Sequence, residues 1–376
     1  MKPQHDLPAM ARQFQIAGQL ISVSPHGSGH INDTYCAVFD QAGARTRQVL
    51  QRINHHVFKQ PAGLMENVHR VTTHLGAKLA DQADAGRRSL RLIPARDGRP
   101  WVVDAQGNYW RMYAFIENAR TYDAVECPGH AFAAARAFGQ FQRLLADLPA
   151  PRLHDTIPDF HHTPSRYAAL ETALAADAAN RARQAGPEIA FARKRQGITR
   201  RLIDAGLPER VTHNDTKLNN VMLDDVTGEG VCVIDLDTVM PGLALYDFGD
   251  LVRTSTSPAA EDERDLSTVR MQFPMFEALV RGYLASAGEL LTAREKELLP
   301  LAGKLITFEI GLRFLTDFLA GDTYFKVHRE QHNLDRCRTQ FKLVESIEQQ
   351  EEAMDRLVET VAGREFSNHP MAGVSA

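Results

Sequence analysis

A chain of 376 residues exceeds what one hydrophobic core usually organises, so two lobes or domains are expected. With 44% hydrophobic and 24% charged residues it has an ordinary globular composition, and a net charge of -4 leaves no electrostatic footprint for nucleic acid. The four scattered cysteines form no C-x-x-C pair or metal spacing, the N-terminus lacks an apolar signal core, and no apolar run approaches membrane-spanning length. A reduced, cytoplasmic protein with neither nucleic-acid nor membrane partners is the expectation.

Residues 7–14 predict a short helix, and residues 19–24, 35–39 and 47–53 predict three strands, the last two joined by a turn at 41–45. Between the first two strands lie Gly27, Ser28 and Gly29. Strand, glycine-bearing turn and strand is the pattern of a phosphate-covering flap, because glycine lets backbone amides approach phosphate oxygens closely. Most such turns are only turns; this one is singled out by its place ahead of the acidic segments below. The third strand is where a phosphate-binding lysine is expected, and the slot falls on Gln51 or Arg52 according to register. Arg52 can hold phosphate oxygens; an exposed arginine on a strand face is the equal alternative. A helix over 61–79 follows. Its Glu66 either pairs with that cation or simply sits near a helix N-terminus. Strands at 90–94, 101–104 and 109–116 come next, with a hairpin turn at 106–108. Polarity changes at 117–123, which is read as the hinge between lobes. Backbone groups of residues 115–118, Phe115 and Glu117 among them, would meet an adenine edge there.

From 131 to 145 the apolar residues Phe132, Ala135, Phe138, Phe141 and Leu145 recur at helical spacing. His161 and His162 have no partner at metal spacing and read as loop residues. Residues 168–207 are helical, interrupted at Gly186 and Pro187. The stretch that carries chemistry begins at His213. It reads His213-x-Asp215-x-x-x-x-Asn220, and two short apolar runs follow at 221–223 and 231–234, the second ending at Asp235. A turn-rich linker separates the runs, so they predict a hairpin with one loop before it and one acid after it. Transfer of a γ-phosphoryl group needs a carboxylate at the acceptor hydroxyl, and an amide oxygen and second carboxylate on the metal that bridges the phosphates. Asp215 is the candidate base, and Asn220 and Asp235 are the candidate Mg²⁺ ligands. A surface turn capped by Asp and Asn explains the first string alone; it does not explain the coupling to a hairpin that ends in acid. Asp237 shares the face of Asp235 on an extended segment and supports either the metal or the loop.

Asp247 and Asp250 bracket a turn that opens an apolar helix, with Asp247 read as a structural cap. Three helical stretches close the chain, at 272–287, 289–319 and 334–361. The second is nearly continuous in Leu, Ile and Phe yet contains Lys304, Glu309, Arg313 and Asp317. Such charges are seldom buried without partners. Arg313 therefore faces a substrate pocket or pairs with Glu309 or Asp317 at helical spacing. A loop at 321–326 is placed to close over that pocket.

Nine segments spread along nearly the whole chain resemble one family. They are residues 27–35, 49–54, 64–68, 157–161, 212–220 (Thr-His-Asn-Asp-Thr-Lys-Leu-Asn-Asn), 233–242 (Val-Ile-Asp-Leu-Asp-Thr-Val-Met-Pro-Gly), 246–250 (Tyr-Asp-Phe-Gly-Asp), 321–325 and 332–336. The family is the phosphotransferase enzyme family that includes the aminoglycoside and choline kinases, and within it the likeness is greatest to bacterial N-acetylhexosamine 1-kinases. The resemblance implies an α+β, bilobal, protein-kinase-like fold. An N-terminal antiparallel-sheet lobe with a helix would span 1–116, a larger and mainly helical lobe 117–365, and a flexible tail 366–376. It implies ATP and Mg²⁺ in the cleft and a small-molecule sugar as acceptor: phosphorylation of the anomeric hydroxyl of GlcNAc or GalNAc. His30, Asp33, Arg313 and Tyr324 would hydrogen-bond the sugar. An aminoglycoside, an amino alcohol or a homoserine-like acceptor is the alternative, and a non-catalytic nucleotide-binding module is a third. The missing strand lysine departs from the general kinase pattern and leaves the phosphate contacts open.

Overall fold

A computed structural model describes residues 5–27 and 31–367. The first lobe follows from two-residue alternation along its strands. A short helix α1 (Leu7–Ala11), capped by Asp6, precedes β1 (Gln19–Pro25), β2 (Asp33–Gln41) and β3 (Ala44–Arg52). Helix α2 (Pro61–Lys78), the single turn α3 (Ala85–Arg88), β4 (Val102–Val103) and β5 (Tyr109–Ala114) complete it. The strands form an antiparallel sheet in the order β1-β2-β3-β5-β4. Ala42 and Gly43, both at positive φ, make the tight turn between β2 and β3. One face of the sheet carries Ala37, Phe39, Leu50, Trp110 and Met112, packed with Ala11 and Phe14 from the α1 region. The other carries Val49 and Tyr113, packed with α2. Residues 90–94, expected as a strand, make only an isolated bridge between Leu92 and Tyr113.

The remainder is mainly helical. In order it contains β6 (Ala119–Arg120), α4 (Pro128–Leu144), α5 (Thr163–Ala176), α6 (Gly186–Lys194), β7 (Glu209–Thr212), β8 (Val221–Asp224), β9 (Gly230–Val233) and β10 (Met240–Leu243). Then come α7 (Ala244–Ser255), α8 (Phe273–Ala287), α9 (Ala293–Glu297), α10 (Leu299–Leu319), α11 (His332–Glu348) and α12 (Glu351–Ser367). β7 pairs with β10, and β6, β8 and β9 form a second small sheet. This is the α+β, protein-kinase-like architecture that the resemblance implies.

Helix α10 is apolar on every face, so other helices surround it. Three of its charges are matched individually: Lys304 donates to Glu351 at 2.7 Å, and Glu309 and Asp317 serve the site below. Helix α7 lies close against it at Gly249, where a Cβ would meet the Ala302 carbonyl oxygen at 2.5 Å. Two expected helices are each split. The stretch at 289–319 breaks because Thr292 and Glu295 form a capping box that starts α9, and Pro300 sits in the first turn of α10. The stretch at 334–361 breaks between α11 and α12, where the Gln350 side chain donates to the Met271 carbonyl at 2.9 Å. Gly186 and Pro187, expected as an interruption, instead open α6, since proline is tolerated in a first turn.

Candidate active site

Strand β7 delivers the chain into a loop that α7 holds from below. Asp247, in the first turn of α7, accepts the backbone N–H of His213 at 2.9 Å and of Asn214 at 2.7 Å, and the Gln142 side chain at 2.6 Å. Burial raises its carboxyl above the ordinary range against the pull of these donors. One turn on, Asp250 accepts the N–H of Thr216 at 2.9 Å and pairs with Arg253. The loop is thereby fixed with Asn214 at a positive φ of 66°. His213 is buried, its Nδ1 accepting the N–H of Asp215 at 3.3 Å. Its proton therefore lies on Nε2, which donates to the Ile234 carbonyl at 2.9 Å.

This scaffold presents Asp215 half-open to solvent. Asn220 donates its amide to the Asp215 carbonyl at 2.8 Å and carboxylate at 2.9 Å, which leaves its Oδ1 uncommitted. Lys217 Nζ lies 3.2 Å from the same carboxylate. Burial works to raise the Asp215 carboxyl, but the ammonium of Lys217 outweighs it and holds it below its ordinary value. The N–H of Ile234 donates to the Asn220 carbonyl at 2.9 Å, joining the loop to the end of β9. There Asp235 adopts a left-handed φ of 58°. It opens to solvent along the cleft but is crowded by protein elsewhere. That crowding, with the charges of Asp237 and Asp215, pushes its carboxyl up to about 6. Among the described residues no donor bonds its carboxylate. Asn220 Oδ1 and the Asp235 carboxylate are hard oxygen donors that fit Mg²⁺, an ion commonly held by one or two protein oxygens plus phosphates. Lys217 and its link to Asp215 escaped the sequence reading. The only signal was its position two residues beyond the acid.

The strand cation differs from expectation. Arg52 pairs with Asp33 across the β2–β3 ladder and donates to Asn108 at 3.1 Å. Both residues lie on the sheet face shared with Leu50 and Trp110, away from the cleft. The assignment of Arg52 to phosphate and of Asp33 to substrate is corrected accordingly. Gln51 occupies the inward position, and the inward cation is Arg111 on β5, 1% exposed and paired with Asp237. Asp237 thus supports the loop, with its two oxygens engaged by Arg111 and Asn32. Glu66 pairs with neither arginine; it bonds His154 at 2.8 Å on the surface.

Gly27, two residues past β1, has a φ of 75°, while Ser28, Gly29 and His30 lie outside the described residues. At the hinge, the Phe115 ring lies 3.9 Å under the Arg47 guanidinium, and Glu117 pairs with Arg47. The carbonyls of Glu117 and Asn118 accept from Arg87 at 3.1 and 2.7 Å, so these two groups of the hinge are already engaged.

On the opposite side, His161 does more than line a loop. Its Nε2 bonds the Asn214 carbonyl at 3.1 Å and its Nδ1 the Glu309 carboxylate at 2.7 Å. Burial would raise the Glu309 carboxyl, yet His161 and Thr163 hold it below the ordinary range. Arg313, one turn further along α10, pairs with neither Glu309 nor Asp317. Its guanidinium lies 5.1 Å from the Phe160 ring, 5.9 Å from Tyr324 and 5.6 Å from Phe325. Arg166 donates to the Phe160 carbonyl at 2.8 Å, which places two guanidiniums around one residue. Asp317 accepts three backbone N–H groups of residues 323–325 and holds the loop that carries the exposed Tyr324. Arg313 and Tyr324 therefore lie side by side, one residue from the His161–Asn214 link to the loop that carries Asp215.

The sequence model of the phosphotransferase enzyme family matches residues 22–293. Similar solved structures include a microcompartment-associated aminopropanol kinase, at a TM-score of 0.57 and 17% identity over 93% of this chain and 97% of that one. An aminoglycoside phosphotransferase from Alicyclobacillus acidocaldarius matches at 0.58 and 13% identity, over 96% and 98%. A spectinomycin phosphotransferase in complex with ADP and spectinomycin matches at 0.58 and 11% identity, over 89% and 94%. At these identities the likeness is one of fold.

Proposed function

Because the chain belongs to the phosphotransferase enzyme family, and is thereby a small-molecule phosphotransferase, we propose that it phosphorylates the anomeric hydroxyl of an N-acetylhexosamine from ATP. GlcNAc or GalNAc is the acceptor and the sugar 1-phosphate the product. The observation that carries the reading is the fixed group of Asp215, Asn220 and Asp235 at the mouth of one hairpin. Asp215 accepts the proton of the acceptor hydroxyl as its oxygen bonds the γ-phosphorus and the bond to the β–γ bridging oxygen breaks, releasing ADP. Asn220 and Asp235 would hold Mg²⁺, which supplies charge neutralisation across the phosphates. Lys217 places positive charge beside Asp215, where the transferred group passes. Gly27, with Ser28 and Gly29, covers the phosphates; Phe115 and Glu117 lie along the base. Arg313 and Tyr324, with His30, contact the sugar.

The acceptor assignment is supported by charge. Among the described residues no carboxylate bonds Arg166 or Arg313, the two guanidiniums around Phe160, which disfavours an ammonium-bearing acceptor. A neutral, hydroxyl-rich ligand with an amide carbonyl suits guanidinium donors and aromatic walls.

The deciding experiment measures ATP consumption with Mg²⁺ over free sugars, amino alcohols and aminoglycosides, with phosphorus NMR of each product. An anomeric phosphate from GlcNAc or GalNAc is expected. Turnover confined to another acceptor discards the sugar; nucleotide binding with no turnover on any acceptor favours the non-catalytic module.

A further inference from the structure

Several buried and half-buried polar groups of the sheet lobe that phosphoryl transfer leaves unused form one connected set. The Arg111 Nε donates to Gln51 Oε1 at 3.0 Å, and Gln51 Nε2 donates to Thr34 Oγ1 at 3.0 Å. The Arg111 Nη1 pairs with Asp237 Oδ1. Asp237 Oδ2 accepts from Asn32 Nδ2 at 2.6 Å, and Asn32 Oδ1 accepts the N–H of Asn54 at 3.0 Å. The set thus joins three places: the end of the flap at Asn32, the inner face of the sheet at Gln51 and Arg111, and the turn two residues beyond Asp235. A connected network of this kind specifies one arrangement, because breaking any link strands a buried partner.

In protein kinases a strand lysine and a helix glutamate must pair before the site is assembled. Here the inward β3 position is Gln51, and Glu66 is spent on His154 at the surface. Burial opposes the charge on Arg111, and Asp237 outweighs it, so the arginine stays charged. With both Asp237 oxygens engaged and, among the described residues, no donor bonded to Asp235, the two neighbouring acids are given different tasks.

We propose that Arg111 is a positioning residue for phosphoryl transfer: by holding Asp237 it sets the left-handed turn at Asp235, and through Asn32 it ties that turn to the flap. Arg111 touches no reacting atom. The inference rests on the reading of Asp235 as the metal ligand.

The test compares Arg111→Met, Asp237→Asn, the double variant and Asn32→Ala in the full chain. The readouts are kcat, KM for ATP, the Mg²⁺ concentration for half-maximal rate, and hydrogen exchange of residues 231–243 without nucleotide. Arg111→Met is expected to raise the Mg²⁺ requirement at least tenfold and to speed exchange over 231–243. The double variant is expected to recover at least fivefold in rate, since no unpaired buried charge remains. Unchanged Mg²⁺ dependence and exchange in Arg111→Met overturn the proposal. So does a double variant no better than the single, which would put Arg111 on the phosphates themselves. If Arg111→Met does not fold, Asn32→Ala decides: it alters a part-buried group at the flap end and must show the same two changes. Asp235→Asn separates the underlying reading. If it keeps the wild-type Mg²⁺ requirement, the metal assignment fails; if it loses that requirement while the other variants do not, only the role of Arg111 fails.

Discussion

Asn220 bonds Asp215 twice through one amide nitrogen, to the carbonyl at 2.8 Å and to the carboxylate at 2.9 Å. In the proposed mechanism the geometry divides the amide: nitrogen orients the base, and oxygen is left for metal. Two substitutions separate these tasks. Asn220→Asp keeps a metal oxygen but loses the donor, so kcat is expected to fall with little change in Mg²⁺ requirement. Asn220→Ala loses both and should also raise that requirement about 10- to 100-fold, the range seen when support of a metal site is removed. Mg²⁺ titrations at fixed ATP give the answer; identical profiles for the two variants would sink the division.

Asp215 is the proposed acceptor of the proton. Asp215→Asn is expected to bind ATP as the wild type does, because Lys217, Asn220 and Asp235 remain. Turnover should drop about 10²- to 10⁴-fold, the usual worth of a general base. Calorimetric ATP binding beside initial rates checks both halves. Near-normal turnover would remove Asp215 from the role.

The close contact of α7 with α10 makes a mechanical prediction. A side chain at position 249 meets the Ala302 carbonyl and Ile306. Gly249→Val should destabilise the fold by about 1–3 kcal/mol, as overpacking does. Asp247 and Asp250 lie on that helix, so the catalytic loop should loosen with it. Thermal unfolding and kcat are expected to fall together; a stability loss with full activity would show that α7 can shift without disturbing the loop.

A pH dependence follows from Glu295, whose side chain is almost wholly buried. Burial works to raise its carboxyl, but Arg210, at 2.9 and 2.8 Å, and the Thr292 N–H hold it below its ordinary value. A depressed carboxyl stabilises the fold above its unfolded pKa of about 4.3, and that contribution is lost as pH falls through the folded value. Glu295→Gln should therefore cost about 2 kcal/mol near neutrality. The gap between variant and wild type should shrink as acid protonates the wild-type carboxyl. Unfolding measured from pH 7 down to the acid limb tests this; a constant gap would count against the ion pair.

The candidate site was legible where its residues are close in sequence. Asp215, Asn220 and Asp235 lie within one loop and hairpin, and the apolar runs between them can only be short strands. The cation was not legible because a shift of one residue along β3 exchanges the faces of the sheet. Gln51 and Arg52 differ by that one step, and only pairing across the sheet, Gln51 beside Arg111, decides it. His161 looked like a loop residue because its partners, Asn214 and Glu309, are far away in the chain. The four-residue strands β7 and β10 are too short for alternation to register. Helix boundaries failed for the opposite reason: apolar periodicity runs on through the break between α9 and α10, and Pro300, which suits only a first helical turn, outweighs it.

Arg313 gives the sharpest test of acceptor choice. Among the described residues its guanidinium has aromatic neighbours and no carboxylate bonded to it, which is why it is proposed to meet the acceptor. Arg313→Ala should raise KM for the acceptor about tenfold or more, which corresponds to one charge-assisted hydrogen bond, and leave KM for ATP unchanged. Arg313→Lys keeps the charge but not the planar fork, so it should rescue only part of the loss. Arg313→Glu reverses the charge beside Arg166. If the pocket selects against cations by charge, this variant loses the sugar and gains relative activity toward an amino alcohol such as aminopropanol. The ratio of kcat/KM for GlcNAc to that for aminopropanol, followed across the three variants, is the measurement. A ratio that stays constant would place Arg313 outside the acceptor site and return the choice of acceptor to the flap.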